Sequence, residues 1–213
     1  MITIVEQSNL DQFPQLVEDM YRTRARVFSE RLGWDVNVVN DLEIDQFDDA
    51  NPLYLISTDD DMKQFYGSVR LLRTTGPNML RDVFNCLLDD DEVIESPLIW
   101  ESSRFSINPD VMQEGENFNK KLVNHITFEL LLGLTEVGMK VGIDFIVSVY
   151  DARMARIFRS AKCTSTIIGT PQKIGKVKAY AGLFETNQSM IDQLAKAGSI
   201  YQSVLSPNTR IAA

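Results

Sequence analysis

Residues 143–149, IDFIVSV, form a nearly continuous apolar run rich in β-branched side chains. A strand with one face in water alternates polar and apolar residues, whereas an unbroken run belongs to a strand covered on both faces. Covering layers are therefore required above and below the sheet. The flanking segments can supply them. Residues 118–137 carry Leu122, Ile126, Leu130 and Leu134 at helical spacing, and residues 152–161 also read as a helix.

The rest of the chain fits the same plan. Residues 10–28 read as an amphipathic helix, with Phe13, Leu16, Val17, Met20 and Tyr21 on one face. Strands are predicted at 53–57 and at 65–74, the second interrupted by Gly67 and ended by the Thr75-Gly76-Pro77-Asn78 turn. Another runs over 98–107 and stops at Asn108-Pro109. Later strands fall at 165–168 and 177–183, and a last helix at 190–197. Residues 29–52 have no clear periodicity and hold Gly33, Asn37, Asn40 and many carboxylates, so they read as a long loop, a kind often tied to function. There is no repeat or linker. The expected architecture is a single domain over 1–213, a mixed sheet in a three-layer α/β/α sandwich.

Composition narrows the function. Apolar residues make up 44% and charged residues 24%, as in a soluble globular protein. The start, MITIVEQSNLDQF, lacks the basic and apolar regions of a signal peptide, and no apolar run reaches the ~18 residues of a membrane span. Cys86 and Cys163 show no metal or redox spacing and fit two free thiols in a reducing cytoplasm. A net charge of −9 argues against general nucleic-acid binding.

Four charged and aromatic blocks punctuate the first half: RARVFSERLGW at 24–34, EIDQFD at 43–48, GSVR at 67–70 and ESSRF at 101–105. Together they supply three arginines (Arg24, Arg70, Arg104), four carboxylates (Glu43, Asp45, Asp48, Glu101) and two aromatics (Phe28, Trp34). Carboxylates beside arginines suit either a zwitterionic ligand or a mutually braced network, and an arginine fork grips a carboxylate bidentately. Ordinary surface ion pairs and a solvated acidic loop are the plain alternatives. Phe28 and Trp34 suit stacking on a cationic or planar ligand, or simple core packing.

In order and spacing these blocks resemble the acyl-homoserine lactone synthases, the LuxI-type autoinducer synthases. The resemblance implies the fold of the GCN5-related N-acetyltransferases, in which two central parallel strands splay apart to admit a phosphopantetheine arm. Here those strands would end near Ser106 and Val149. It also implies a reaction in which the amine of S-adenosylmethionine attacks an acyl thioester on acyl carrier protein. The methionyl carboxylate then closes the lactone and releases methylthioadenosine. S-adenosylmethionine would be a substrate, with no permanently bound cofactor. Asp45 and Asp48 would help hold it, within a network of Arg24, Phe28, Trp34, Arg70 and Arg104. Glu101 would accept the amine proton, with Glu43 as second choice.

A docking patch for the acidic carrier must be locally basic. Arg153, Arg156 and Arg159 recur every third residue and Lys162 follows, making one helical ridge that Lys120, Lys121 and Lys140 extend; a solvated helix face is the alternative. The acyl and phosphopantetheine pocket is expected from Ile99, Ser103, Phe105, Val123, Ile146 and Ser148, the last where some relatives carry a threonine linked to 3-oxo chains. The connection NPDVMQEGENF contains only Gly115, so a glycine-rich pyrophosphate cradle is incomplete, which disfavours coenzyme A. The lone His125 has no companion ligand and reads as structural rather than metal-binding. Other readings are a generic N-acyltransferase using acyl-coenzyme A and a non-catalytic module binding an adenosyl or acyl ligand.

Overall fold

A computed structural model of the chain describes residues 1–89, 92–114, 117–163, 165–206 and 211. Seven strands form its main sheet: β1 (Ile2–Val5), β2 (Leu53–Thr58), β3 (Phe65–Arg73), β4 (Ile99–Ile107), β5 (Phe145–Asp151), β6 (Ser165–Ile174) and β7 (Val177–Glu185). Their order is β1-β2-β3-β4-β5-β7-β6. All neighbours are antiparallel except β4 and β5. The apolar run thus becomes the interior strand β5, covered on both faces. Ile146 joins one core cluster and Val147 another.

Among the described residues five α-helices flank the sheet: α1 (Pro14–Arg24), α2 (Met79–Asp82), α3 (Lys120–Val141), α4 (Ala152–Ser160) and α5 (Gln188–Gly198). On one face α3 and α5 pack with Ile2, Leu55, Leu71, Trp100 and Ile146. On the other, α2 packs with Leu72 and Val147, and α1 packs with Tyr54 and Ile56. The helix predicted at 10–28 is α1 followed by a π-helical segment, Ala25–Arg31. Such segments often mark functional sites, because the wider turn re-aims side chains. Here it buries Ala25, Val27 and Phe28.

Among the described residues, elements absent from the sequence expectation include a small hairpin, Val38–Val39 with Leu42–Glu43, inside the segment read as a loop, and β1 and α2 in the main fold. Strand β1 pairs Ile2 with Ser57 and Val5 with Tyr54, yet its four residues carried no turn signals to delimit them. The helix α2 starts directly after the turn at 75–78, where Asn78 caps it by accepting the Arg81 N–H at 3.0 Å.

Strands β4 and β5 separate in mid-sheet. Their parallel register runs from Ile99↔Phe145 to Ser102↔Ser148 and goes no further. At the fork the Ser148 hydroxyl donates to the Ser102 carbonyl at 3.2 Å. On the opposite edge β4 carries one extra residue against β3, between the pairs Arg70↔Ser103 and Ser68↔Ser106. Arg104, inside this bulge, has φ +54°, a left-handed conformation that costs an L-residue about 1–2 kcal/mol. The bulge bends β4 away from its parallel partner. It relies on a close backbone approach, since a Cβ at Gly67 would lie 2.7 Å from the Ser106 carbonyl oxygen. Gly67→Ala is expected to lose about 1–3 kcal/mol in urea unfolding, because a backbone oxygen cannot rotate aside as a side chain does.

Candidate active site

A cavity of about 660 Å³ opens where β4 and β5 part. One end is walled by Phe28, Trp34, Phe84, Glu101 and Arg104. The other runs between sheet and helices past Val123, Leu131, Ile146, Phe184, Met190 and Leu194. Its mouth carries Arg31, Lys120, Arg153 and Arg156. The aromatic wall is layered. Phe28 and Trp34 lie 5.2 Å apart between ring centroids, Trp34 and Phe84 5.6 Å, and the Arg104 guanidinium stands 5.0 Å over Phe28. Among the described residues the buried indole N–H of Trp34 has no hydrogen-bond partner.

Behind this wall lies an ionic lattice of three arginines and three carboxylates. Arg24 and Arg70 are each 1% exposed, and Glu43 is 0%. Arg24 donates to Glu43 at 2.5 Å and grips Asp48 bidentately at 2.8 Å twice. Arg70 binds Asp45 at 2.6 and 3.0 Å, Asp48 at 2.7 Å and the Ser103 hydroxyl at 3.1 Å. Arg104 pairs with Glu43 at 2.7 Å and Asp45 at 2.8 Å. The Tyr54 hydroxyl donates to Asp48 at 2.7 Å. The formal charges cancel, so the lattice is buried without a net charge. Burial pushes the Asp48 pKa up, but Arg24 and Arg70 outweigh it and hold the carboxyl well below the usual range. For Arg104 burial wins and lowers the guanidinium pKa.

Glu101 faces the same side of the sheet but is wired differently. Its two oxygens accept the backbone N–H groups of Met79 at 2.9 Å and Leu80 at 2.6 Å, the first turn of α2. Burial raises its pKa to about 7, more than these N–H groups and Arg70 and Arg104 lower it. A carboxylate with such a pKa in a cavity wall is matched to proton transfer near neutral pH.

Comparison with known proteins decides the lineage. The family model described as autoinducer synthase matches residues 8–194. The chain belongs to the autoinducer synthase family. The acyl-homoserine-lactone synthase of Rhizobium etli is 35% identical over 187 residues, covering 87% of this chain and 84% of that protein. The crystal structure of the AHL synthase LasI superposes with a TM-score of 0.79 at 33% identity, over 92% of this chain and 94% of its own. The CoA-dependent acyl-homoserine lactone synthase BjaI, solved with SAM and isopentyl-CoA, gives 0.83 at 22% identity over 99% and 95%, a likeness of fold. This autoinducer synthase is therefore an acyltransferase of acyl-homoserine-lactone synthesis with the GCN5-related fold.

The predicted site residues fall into three sets. Phe28, Trp34, Glu101, Ser103, Arg104, Phe105, Val123, Ile146, Ser148, Arg153 and Arg156 line the cavity. Arg24, Glu43, Asp45, Asp48 and Arg70 sit behind it, in the lattice. Glu43, the second candidate for the base, is sealed there with both oxygens held by arginines and does not line the cavity. Ile99 is a correction. Alternation along β4 turns it to the α2 face with Leu72 and Val147, whereas Val123 and Ile146 pack on the α3 face. Arg159 and Lys162 are exposed and lie outside the cavity lining. His125 is an exposed residue of α3, and Gly115 lies outside the described residues.

Sequence reading missed Arg31, Met79 and Phe84. The Met79 sulfur lies 3.2 Å from Arg70 and 3.4 Å from Arg104, and its N–H holds Glu101. The available signal was Asn78, a good helix cap read only as the end of a turn.

Asp48→Asn leaves buried arginines undercompensated and is expected to cost about 3–5 kcal/mol in denaturant unfolding. The depressed native pKa of Asp48 stabilises the fold above the usual carboxylate range, and this is lost as pH falls towards the native value. The wild type is thus expected to lose stability on acidification more steeply than Asp48→Asn.

Proposed function

We propose that this autoinducer synthase acylates the amine of S-adenosylmethionine with a fatty acyl group delivered as a thioester on acyl carrier protein, then closes the lactone. The chemical division of the cavity carries the reading. Aromatic rings, an arginine and a carboxylate of pKa about 7 stand at one end, apolar side chains at the other, and cations at the mouth. A zwitterionic sulfonium compound suits the first region, an acyl chain the second, and an acidic donor the third.

The steps follow from these groups. The ammonium of S-adenosylmethionine gives a proton to the Glu101 carboxylate, directly or through one water. The freed amine attacks the thioester carbonyl, forming a C–N bond, and the C–S bond breaks to release the carrier thiol. The edge of β4 beyond Ser102 has no register partner on β5, so backbone N–H groups there are free to face the oxyanion. One such donor is worth about 3–4 kcal/mol. The methionyl carboxylate then attacks the carbon next to sulfur, and the sulfonium leaves as methylthioadenosine. Phe28 and Trp34 wall the sulfonium, and the lattice fixes Arg104 beneath them.

The carrier-protein donor is favoured over coenzyme A by the glycine-poor 108–118 connection and by exposed Arg153, Arg156, Arg159 and Lys162. The free thiols Cys86 and Cys163 suit the cytosol, where such donors occur. Among the described residues no helix is long and apolar enough to cross a membrane.

Purified enzyme with S-adenosylmethionine and acyl-carrier protein is expected to release methylthioadenosine and an acyl-homoserine lactone, both read by mass spectrometry. A higher kcat/KM with the matching acyl-coenzyme A would reverse the donor assignment. Glu101→Gln is expected to lower kcat by about tenfold or more. In the wild type kcat is expected to rise with pH through a value near 7, as Glu101 ionises, and the variant to lack that rise. Stability provides a second check. The native pKa lies above the ordinary 4.5, so ionisation favours the unfolded chain and stability falls as pH rises from 4.5 to about 7. Glu101→Gln removes this slope. A rate unaffected by the substitution would take Glu101 out of the proton transfer.

A further inference from the structure

Arginine is used unevenly in this acidic chain. Arg22, Arg24, Arg26, Arg70, Arg81 and Arg104 each pair with a carboxylate, and Arg73 lies over the Trp100 ring. Arg31, Arg153, Arg156 and Arg159 form no ion pair among the described residues, and three of these four line the cavity mouth. Arg31 comes from the π-helical segment and Arg153 and Arg156 from α4, so the cations converge from two separate elements.

The arrangement is unfavourable in the empty protein. Burial and then the charge of Arg153 lower the pKa of Arg31, the sign expected of like charges held together. Arg153 also stands in the first turn of α4, at the positive end of the helix dipole, where the cap Asp151 is the acidic residue that offsets it. Of the carboxylates lining the cavity, Asp151 stands at this end, whereas Glu185 sits opposite Phe145 at the far end of β5 and Glu101 is held by α2. Asp151 accepts the Met154 N–H at 2.9 Å as the cap of α4, and its pull on Arg31 is weaker than the push from Arg153. The mouth is left with excess positive charge that an incoming anion would relieve.

We infer that Arg31 and Arg153, with Arg156 beside them, clamp the phosphate of the donor's phosphopantetheine arm where it enters the cavity. The inference rests on the thioester-donor reading above and adds the group that is gripped. In related folds a glycine-rich loop before the helix corresponding to α3 would cradle phosphate. Here the duty passes to the junction of β5 with α4 and to the π-helical segment. Guanidinium forks suit it, because they bind phosphate oxygens bidentately and stay charged. These two residues position the donor and take no part in bond making.

The test uses the full chain and four donors bearing one acyl group: acyl-carrier protein, acyl-coenzyme A, acyl-phosphopantetheine and acyl-pantetheine, which lacks the phosphate. In the wild type, KM for acyl-phosphopantetheine is expected to be about tenfold below that for acyl-pantetheine, as befits a charge-assisted contact. The double variant Arg31→Gln/Arg153→Gln is expected to erase this difference, bringing KM for acyl-phosphopantetheine up to that for acyl-pantetheine, while the thermal midpoint holds or rises as the like charges are removed. Equal KM values for the two small donors in the wild type would overturn the clamp. So would a KM increase in the variant that is the same with and without the phosphate. The donor assignment is judged apart from this: if acyl-coenzyme A outperforms acyl-carrier protein, that assignment fails, while the phosphopantetheine pair still decides the clamp.

Discussion

The buried lattice of Arg24, Arg70 and Arg104 with Glu43, Asp45 and Asp48 is the interaction on which the aromatic end of the cavity in this autoinducer synthase depends. It joins α1, the acidic segment at 43–48, β3 and β4, four pieces of chain far apart in sequence. A hydrophobic contact would hold them together without fixing their orientation. Paired forks impose both distance and angle, and removing one partner strands a charge in a low-dielectric interior. The acidic segment would otherwise be a solvated loop. Here Asp45 accepts the Phe47 N–H and Asp48 accepts the Asp45 N–H, so the turn that carries the carboxylates is itself rigid.

What the lattice supports is a strained strand. The Arg104 side chain reaches Glu43 and Asp45 from a backbone in the left-handed region, within the bulge of β4. Strain of this kind persists only where surrounding contacts over-determine it. The same bulge puts Ser103 and Arg104 both towards the lattice, although strict alternation would place them on opposite faces. It also opens the fork between β4 and β5 that becomes the cavity. Ion pairs, strand irregularity and cavity are one connected arrangement.

Much of this was legible in the sequence. The apolar run before Tyr150 marked an interior strand, and the four motif blocks brought together residues that the fold does assemble. Facing was the part that periodicity could not supply. Its place on the central strand points Ile99 to the acyl pocket, yet it packs with Leu72 and Val147 on the α2 face and does not line the cavity. Phe105 reaches the cavity because the bulge has reset the alternation, and a bulge leaves no mark in a sequence without a glycine at the extra position. The charges of the lattice residues suit both a zwitterionic ligand and a mutually braced network. In the fold they neutralise one another behind the wall, and spacing alone cannot rank these two uses. Strand β1 and helix α2 are short and draw their stability from neighbours distant in sequence, so local pattern carried little signal for either.

Glu101 shows how the fold reconciles two demands on one side chain. As a cap it holds the start of α2, and with it Met79, whose sulfur touches Arg70 and Arg104. As a carboxyl in the cavity wall it sits where burial raises its pKa to about 7. Two N–H donors alone would favour the ionised form and leave a weak base. Burial alone would leave a neutral acid at working pH. Their opposition sets the value between these limits, where the group is basic enough to take a proton and ionised often enough to do so. The short helix therefore acts through its N–H groups on the proton affinity of Glu101, and a shift in its position would be felt there before any change in the binding wall.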